Sequence, residues 1–380
     1  MLHSRHRYPL VALMALALLS FTACDPDVEI VEAEVPASPT FAELPTSVDP
    51  NRRAFSMRVM DYGLLFQGER RHFIYDEAGE FSGSFSGSGA QYVQPFNEDY
   101  MIAVYPEAIQ VHSIVGGRAA NSIRVYPIDS ILPQDASAYP FRPGPYSSPA
   151  ELDKNNILIL PYITGEFPDR NIGFALHEFE GAHPSGFGAN YDIVASVFID
   201  SDIRLINSQT YRTIPVEGGF LFHYWGTSEE SAIYRIDYSG NMVKVYSESP
   251  GVIDGFIEYQ NAIYAWRDSD TGNGHRLMRA EPDGRNWELL DSTYNGRAVT
   301  YFPAGEDELI MLDRQQDALY YVEDLGAGTP RYTRLQAEQF EGYIVTDVER
   351  YGDFVYVTTM SGSFRRDWRE FIESRDVEGE

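Results

Sequence analysis

The stretch Asn261-Ala-Ile-Tyr-Ala-Trp-Arg-Asp268, followed by His275-Arg-Leu-Met-Arg-Ala-Glu-Pro-Asp-Gly284 and Asn286-Trp-Glu-Leu-Leu290, decides how the chain folds. Each run is short, rich in β-branched and aromatic residues, and bounded by Asn, Asp, Gly or Pro. That is the composition of strands separated by turns. Val252 to Tyr259 supplies a further run just upstream. Four strands in a row with short connections make one antiparallel sheet.

The unit recurs. Asp307-Glu-Leu-Ile-Met-Leu-Asp313, Asp317-Ala-Leu-Tyr-Tyr-Val-Glu-Asp324 and Arg331-Tyr-Thr-Arg-Leu335 form the next copy, and Gly218 to Trp225, Ala232 to Gly240 and Met242 to Tyr246 form the one before. Copies begin near residues 62, 100, 156, 218, 261, 307 and 352, so the last three steps are 43, 46 and 45 residues. This is the length of a four-stranded propeller blade. Inner strands are expected at Phe55 to Met60, Tyr92 to Phe96, Ser147 to Leu152, Thr210 to Val216, Val252 to Tyr259, Arg297 to Phe302 and Tyr343 to Arg350. The expected fold class is therefore an all-β propeller of seven blades over residues 51–375. Six blades would follow if the copies at 100 and 156 were misread, and a β-sandwich or a pair of separate β domains would also accommodate the strands. The last copy lacks an outer strand, and Thr40 to Val48 is expected to supply it and close the ring, leaving no long sheet edge exposed. The wording around Trp266 and Trp287 resembles the NHL and YWTD styles of β-propeller, a resemblance that implies a fold and no activity.

Upstream lies an address. Met1 to Pro9 carries Arg5 and Arg7 without an acid, and Leu10 to Phe21 is almost wholly apolar but too short to span a bilayer comfortably, which reads as a removable signal. It ends Ser20-Phe21-Thr22-Ala23-Cys24 and resembles the lipobox of bacterial lipoproteins, with Phe21 in place of the usual Leu. The resemblance implies lipidation of Cys24 after removal of residues 1–23, and an envelope location, periplasmic or surface-exposed. Cys24 is the only cysteine of the chain, so no disulfide staples the domain behind it. Residues 24–50 are acidic and proline-rich and read as a solvated tether.

The chain holds 57 Asp plus Glu against 29 Lys plus Arg, a formal net charge of −28 that loss of the leader arginines makes more negative. Phosphate binding needs a basic footprint, so nucleic acid is excluded as a partner. Only Lys154 and Lys244 are lysine. Such a surface resembles that of proteins from saline habitats, and an Arg-rich genome explains it equally well.

Candidate sites are few. His223, Tyr224 and Trp225 end one strand, Arg267 and Asp268 end the corresponding strand of the next copy, and Asp313 with Arg314 ends the next. Together with Glu166 these mark one rim of the ring, where loops are longest and a protein or carbohydrate partner would bind. The loop Asp268-Ser-Asp-Thr-Gly-Asn-Gly274 offers Asp268 and Asp270 as Ca²⁺ ligands, though Gly272 stands where a further ligand is expected. His177-Glu-Phe-Glu-Gly-Ala-His183 spaces its histidines six apart, unlike a zincin helix, and reads as a strand end. No nucleophile elbow or phosphate-cradling loop is present. The expectation is a lipid-anchored binding module. The alternative is a calcium-dependent hydrolase or lactonase, or a carbohydrate-active enzyme, and the scarcity of inner-strand acids beyond Asp254 favours binding.

Overall fold

The computed structural model describes residues 40–44, 54–60, 63–68, 71–86, 92–97, 100–115, 118–139, 150–166, 169–181, 191–204, 211–224, 231–248, 252–267, 275–290, 294, 296, 298–305 and 307–375. The signal segment, Cys24 and most of the acidic stretch lie outside them. A first short strand, β1 (Ala42–Glu43), precedes blade 1, which comprises β2 (Ala54–Met60), β3 (Gly63–Gly68), β4 (Arg71–Tyr75) and β5 (Phe81–Ser86). Blade 2 follows as β6 (Tyr92–Asn97), β7 (Tyr100–Val104), β8 (Ala108–Val115) and β9 (Arg118–Pro127). Blade 3 holds β10 (Ser137–Ala138), β11 (Glu151–Leu152), β12 (Ile157–Thr164), β13 (Asn171–Gly181) and β14 (Tyr191–Ile199). Blade 4 is β15 (Tyr211–Val216), β16 (Gly219–Tyr224), β17 (Ser231–Asp237) and β18 (Met242–Glu248), and blade 5 is β19 (Gly255–Tyr259), β20 (Ala262–Arg267), β21 (Arg276–Ala280) and β22 (Glu288–Leu290). Blade 6 is β23 (Val299–Pro303), β24 (Leu309–Asp313), β25 (Ala318–Glu323) and β26 (Arg331–Arg334). Blade 7 is β27 (Val345–Tyr351), β28 (Phe354–Thr359) and β29 (Ser363–Asp367), completed by β1. The seven antiparallel sheets form a seven-bladed β-propeller, and the six-blade alternative falls.

Two local departures have physical causes. The inner strand of blade 3 comes in two pieces, β10 against Ile163 and Tyr162 and β11 against Ile159 and Leu158. Between them the sequence carries Pro140, Pro143, Pro145 and Pro149, none of which can donate to a ladder. At the other end, the polar run after β29 contains a helix, Trp368–Glu373, whose first free N–H groups are met in part by Asp367 accepting from the Glu370 N–H at 3.0 Å.

Recurring acidic-x-x-Gly turns stack one blade on the next. At Asp76–Gly79, Asp237–Gly240 and Glu281–Gly284 the glycine N–H donates to the first residue's carbonyl, and the glycine φ of 72°, 86° and 76° is the left-handed value that favours Gly. Gly284 sits where a Cβ would lie 2.5 Å from Leu221 of blade 4, and Gly240 where one would lie 2.7 Å from Val197 of blade 3. These glycines are therefore packing contacts as well as turn residues.

Closure depends on very little chain. β1 pairs with β29 through Ala42 opposite Arg365 and Glu43 opposite Phe364. The Gln339 side chain holds the strand's start, its Oε1 accepting the Phe41 N–H at 2.6 Å and its Nε2 donating to the Phe41 carbonyl at 3.3 Å. The Phe41 ring is buried edge-on against Phe340 and Phe371, with centroids 4.8 and 5.2 Å away. Phe41→Ala should lower stability by about 3 kcal/mol, the usual cost of deleting a buried ring. A reduced urea midpoint is the expected readout, and an unaltered one would show that the closing strand bears no load.

Candidate functional site

The rim residues sit at equivalent strand ends. His223, Arg267 and Asp313 are the last or next-to-last residues of the second strands of blades 4, 5 and 6. Each is engaged within the blades. His223 is buried, with Nε2 3.1 Å from Ser231 Oγ and its ring edge-on to Phe256. Arg267 forms an ion pair with Glu248, which also accepts from the Tyr246 hydroxyl. Asp313 is fully buried; Oδ1 accepts the N–H groups of Gln315 and Gln316 at 2.8 and 3.1 Å, and Oδ2 accepts the Tyr294 hydroxyl at 2.5 Å. Arg314 is exposed and donates from Nε to the Ala298 carbonyl at 3.0 Å. Trp225, Asp268 and Asp270 lie outside the described residues. His177 is a core histidine bonded to Ser196, with Glu178 and Glu180 exposed on the opposite face, and His183 lies outside.

A different constellation lines the axis. Arg58 on β2 grips Glu151 on β11 bidentately, Nη1 to Oε1 at 3.0 Å and Nη2 to Oε2 at 3.2 Å. Its guanidinium lies 5.1 Å from the centroid of the Tyr92 ring, and the Tyr92 hydroxyl donates to Glu151 at 3.0 Å. Burial opposes the Arg58 charge, but Glu151, Tyr92 and Asp347 together offset it and hold the guanidinium above its ordinary pKa. Blades 1, 2 and 3 thus meet in one network, in which Arg58 Nε is buried without an acceptor.

On β27, Asp347 and Glu349 are two residues apart and share a strand face. Asp347 accepts the Met57 N–H from blade 1 at 2.7 Å and the Val348 N–H at 2.9 Å. Burial nonetheless lifts its carboxyl to about 6, against the pull of those N–H groups and of Arg212 and Arg58. Glu349 is pushed well above the carboxylate range by burial and by Asp347 beside it. From blade 4, Arg212 feels both Asp347 and Glu151, and burial lowers its affinity for its proton. Arg212 is half-buried. Among the described residues its guanidinium makes no hydrogen bond, and its nitrogens are not sealed from solvent, so water can meet them and a ligand's acceptor would take that water's place.

The scarcity of inner-strand acids expected from the sequence is therefore corrected: Glu151, Asp347 and Glu349 all lie there. Asp254, the one acid singled out, precedes β19, and its N–H donates to the Trp266 carbonyl at 2.8 Å. A signal was present in Thr346-Asp-Val-Glu-Arg350, where acids alternate with β-branched residues inside an expected inner strand. Among the described residues no three His, Cys, Asp or Glu side chains group to hold a metal ion.

No protein-family model and no curated protein matches the sequence. Among solved structures, the chain is similar to an oligogalacturonate lyase of Vibrio parahaemolyticus, with a TM-score of 0.56 and 10% identity over 88% of this chain and 94% of that one. It is also similar to a GH74 enzyme of Niastella koreensis, with a TM-score of 0.54 and 11% identity over 86% of this chain, which spans 53% of the enzyme's length. At such identity both likenesses speak for the propeller fold alone.

Burial also sets the acid behaviour of the ring. His177 is held down to about 4 by burial, His275 to about 3 by burial, and His223 to about 3 by burial and by Arg212. These groups stay neutral in the fold but take up protons near pH 6.5 once unfolded. Their stability contribution is complete above that value and is lost as pH falls toward 3. The melting temperature should fall progressively below pH 6.5, and His275→Gln should flatten the fall. An equal slope in wild type and variant would refute the assignment for His275.

Proposed function

We propose that the protein is a lipid-anchored propeller of the cell envelope that acts as a binding module, its ligand received in the axial channel. The observation that carries the reading is Arg212, an inner-strand guanidinium with no acceptor among the described residues, beside the Arg58–Glu151–Tyr92 network. That network supports a rigid wall, and the solvent-facing donors of Arg212 support a ligand that is not part of the chain. Cys24 supports the anchor, since it stands at the end of the lipobox-like segment and has no other cysteine to pair with. The rim with Arg267, Arg314 and the outlying Trp225 would face a protein or carbohydrate carrying the ligand.

A catalytic use of the same channel is the second reading. Asp347 and Glu349 favour it, being two carboxyls of unequal proton affinity side by side, as acid and base assignments require. Calcium at Asp268 and Asp270 belongs to that reading, and millimolar calcium should then raise the melting temperature.

Two experiments test the binding module. Cys24→Ala should abolish labelling by a fatty-acid probe, and labelling that survives would sink the anchor. A thermal-shift panel of galactose, galactosamine, galacturonate and digalacturonate should contain at least one probe that raises the wild-type melting temperature and fails with Arg212→Gln. Shifts identical in both proteins, or none at all, would contradict the channel.

A further inference from the structure

Away from the inner strands, blades 3 and 4 enclose a cavity of about 510 Å³, a size within the range of small-molecule sites. We propose that this cavity is a second ligand site, independent of the axial one, and that it takes an alkylammonium ion, the charged head on Asp200 and Asp202 and the carbon stem along Ile203, Tyr234 and Met242. Blade 3 builds one wall. After β14 the chain turns back across the end of that sheet, where Asn171 bridges to Arg204 and the Ile203 carbonyl accepts the Ile172 N–H at 2.9 Å. The Ser201 hydroxyl donates to the Ile172 carbonyl and accepts the Ile203 N–H at 3.1 Å, and the Tyr162 hydroxyl donates to Asp200 at 3.3 Å. These bonds hold residues 200–203 in place before any ligand arrives. Blade 4 supplies the other wall with Tyr234 on β17 and Met242 on β18.

The lining selects the ligand class. Ile203, Tyr234 and Met242 offer apolar surface, Asp200 and Asp202 carry negative charge, and no basic residue lines the cavity. Both carboxylates are exposed, and among the described residues neither is in an ion pair. An anion would meet two like charges there, and a neutral chain would gain nothing from them, whereas an ammonium group is attracted by both. Arg204, the nearest arginine in the sequence, is already paired with Asp169. Lys244 stands opposite Tyr234 in the β17–β18 ladder with its Nζ 5.9 Å from the centre of the Tyr234 ring. The chain's own ammonium thus settles against this ring, as the negative face of an aromatic allows, and its single charge leaves one of the two carboxylates unanswered. The apolar wall fits the stem: Ile203 is buried, and Met242 is unbranched and adapts its shape to what it touches. Two carboxylates without a third acid, beside an apolar wall, suit an organic cation better than a metal ion.

The test is nuclear magnetic resonance of the full chain without its leader, isotope-labelled at the methionine methyl groups and titrated with hexylammonium at neutral pH and low salt. The Met242 signal, assigned by its loss in Met242→Leu, should move, while those of Met57 in blade 1 and Met311 in blade 6 stay still. Each methylene removed from the stem should weaken binding by up to about fourfold. Asp202→Asn should weaken it about fivefold, the upper end for an exposed ion pair, and added salt should weaken it in the wild type. The unmoved methionine signals verify that the variant is folded. Hexanol and hexanoate should leave the Met242 signal in place at the same concentration. A Met242 signal that ignores hexylammonium, or methionine signals that move together in every blade, overturns the site. Hexanol or hexanoate matching hexylammonium overturns the cation, and unchanged affinity in the Asp200→Asn, Asp202→Asn double variant overturns the carboxylates. Arg212→Gln should bind hexylammonium as the wild type does, so failure here leaves the axial site to its own test.

Discussion

Seven twisted sheets can stand in a ring only if the last is joined to the first, and here the join is a strand of two residues. Its ladder is short, so the load passes to what surrounds it: the Gln339 amide on both polar groups of Phe41, the Phe41 ring among Phe340 and Phe371, and Leu44 buried beyond, its N–H donating to Ser363. A second seam lies nearer the axis, where the Thr346 hydroxyl donates to the Ala54 carbonyl and Asp347 accepts from Met57. With no disulfide available, these non-covalent contacts define where the ring begins and ends.

The same seam shapes the axis. Asp347 joins blade 7 to blade 1 by accepting the Met57 N–H, and it also feels the charge of Arg212 on β15. A carboxyl that is at once a structural acceptor and half of an unfinished charge pair is costly to bury, and its raised pKa expresses that cost. The Arg58–Glu151 pair shows the opposite case, with every charge answered within the chain. The contrast between these two arrangements on neighbouring inner strands is what the proposed ligand site rests on.

The blades were legible in the sequence because their signals are local. The β-rich runs and the Asn, Asp, Gly and Pro turns that bound them are written within one copy, the step near 45 residues shows between adjacent copies, and even the closing strand near Thr40 followed from the missing outer strand of blade 7. The broken inner strand of blade 3 was blurred, its first piece at Ser137–Ala138 lying a proline-rich stretch away from Glu151. The helix at Trp368 was missed although Asp367 and Glu370 form a capping pattern. The site was hidden for a deeper reason. Arg58, Glu151, Arg212 and Asp347 come from four blades, and only closing the ring brings them to one axis. In a chain with 57 acids, a lone Asp or Glu carries no mark of such a role. Rim residues such as His223 and Asp313 attracted notice because they end clear strands, and the structure ties their side chains into the blades.

The most direct measurement is a crystal structure of the propeller soaked with the sugar that raises its melting temperature. The proposed binding module requires that sugar at the axis within hydrogen-bond distance of the Arg212 guanidinium, with the Arg58–Glu151 pair undisturbed. A sugar bound elsewhere, or an Arg212 closed onto Asp347 with no room between them, would contradict it.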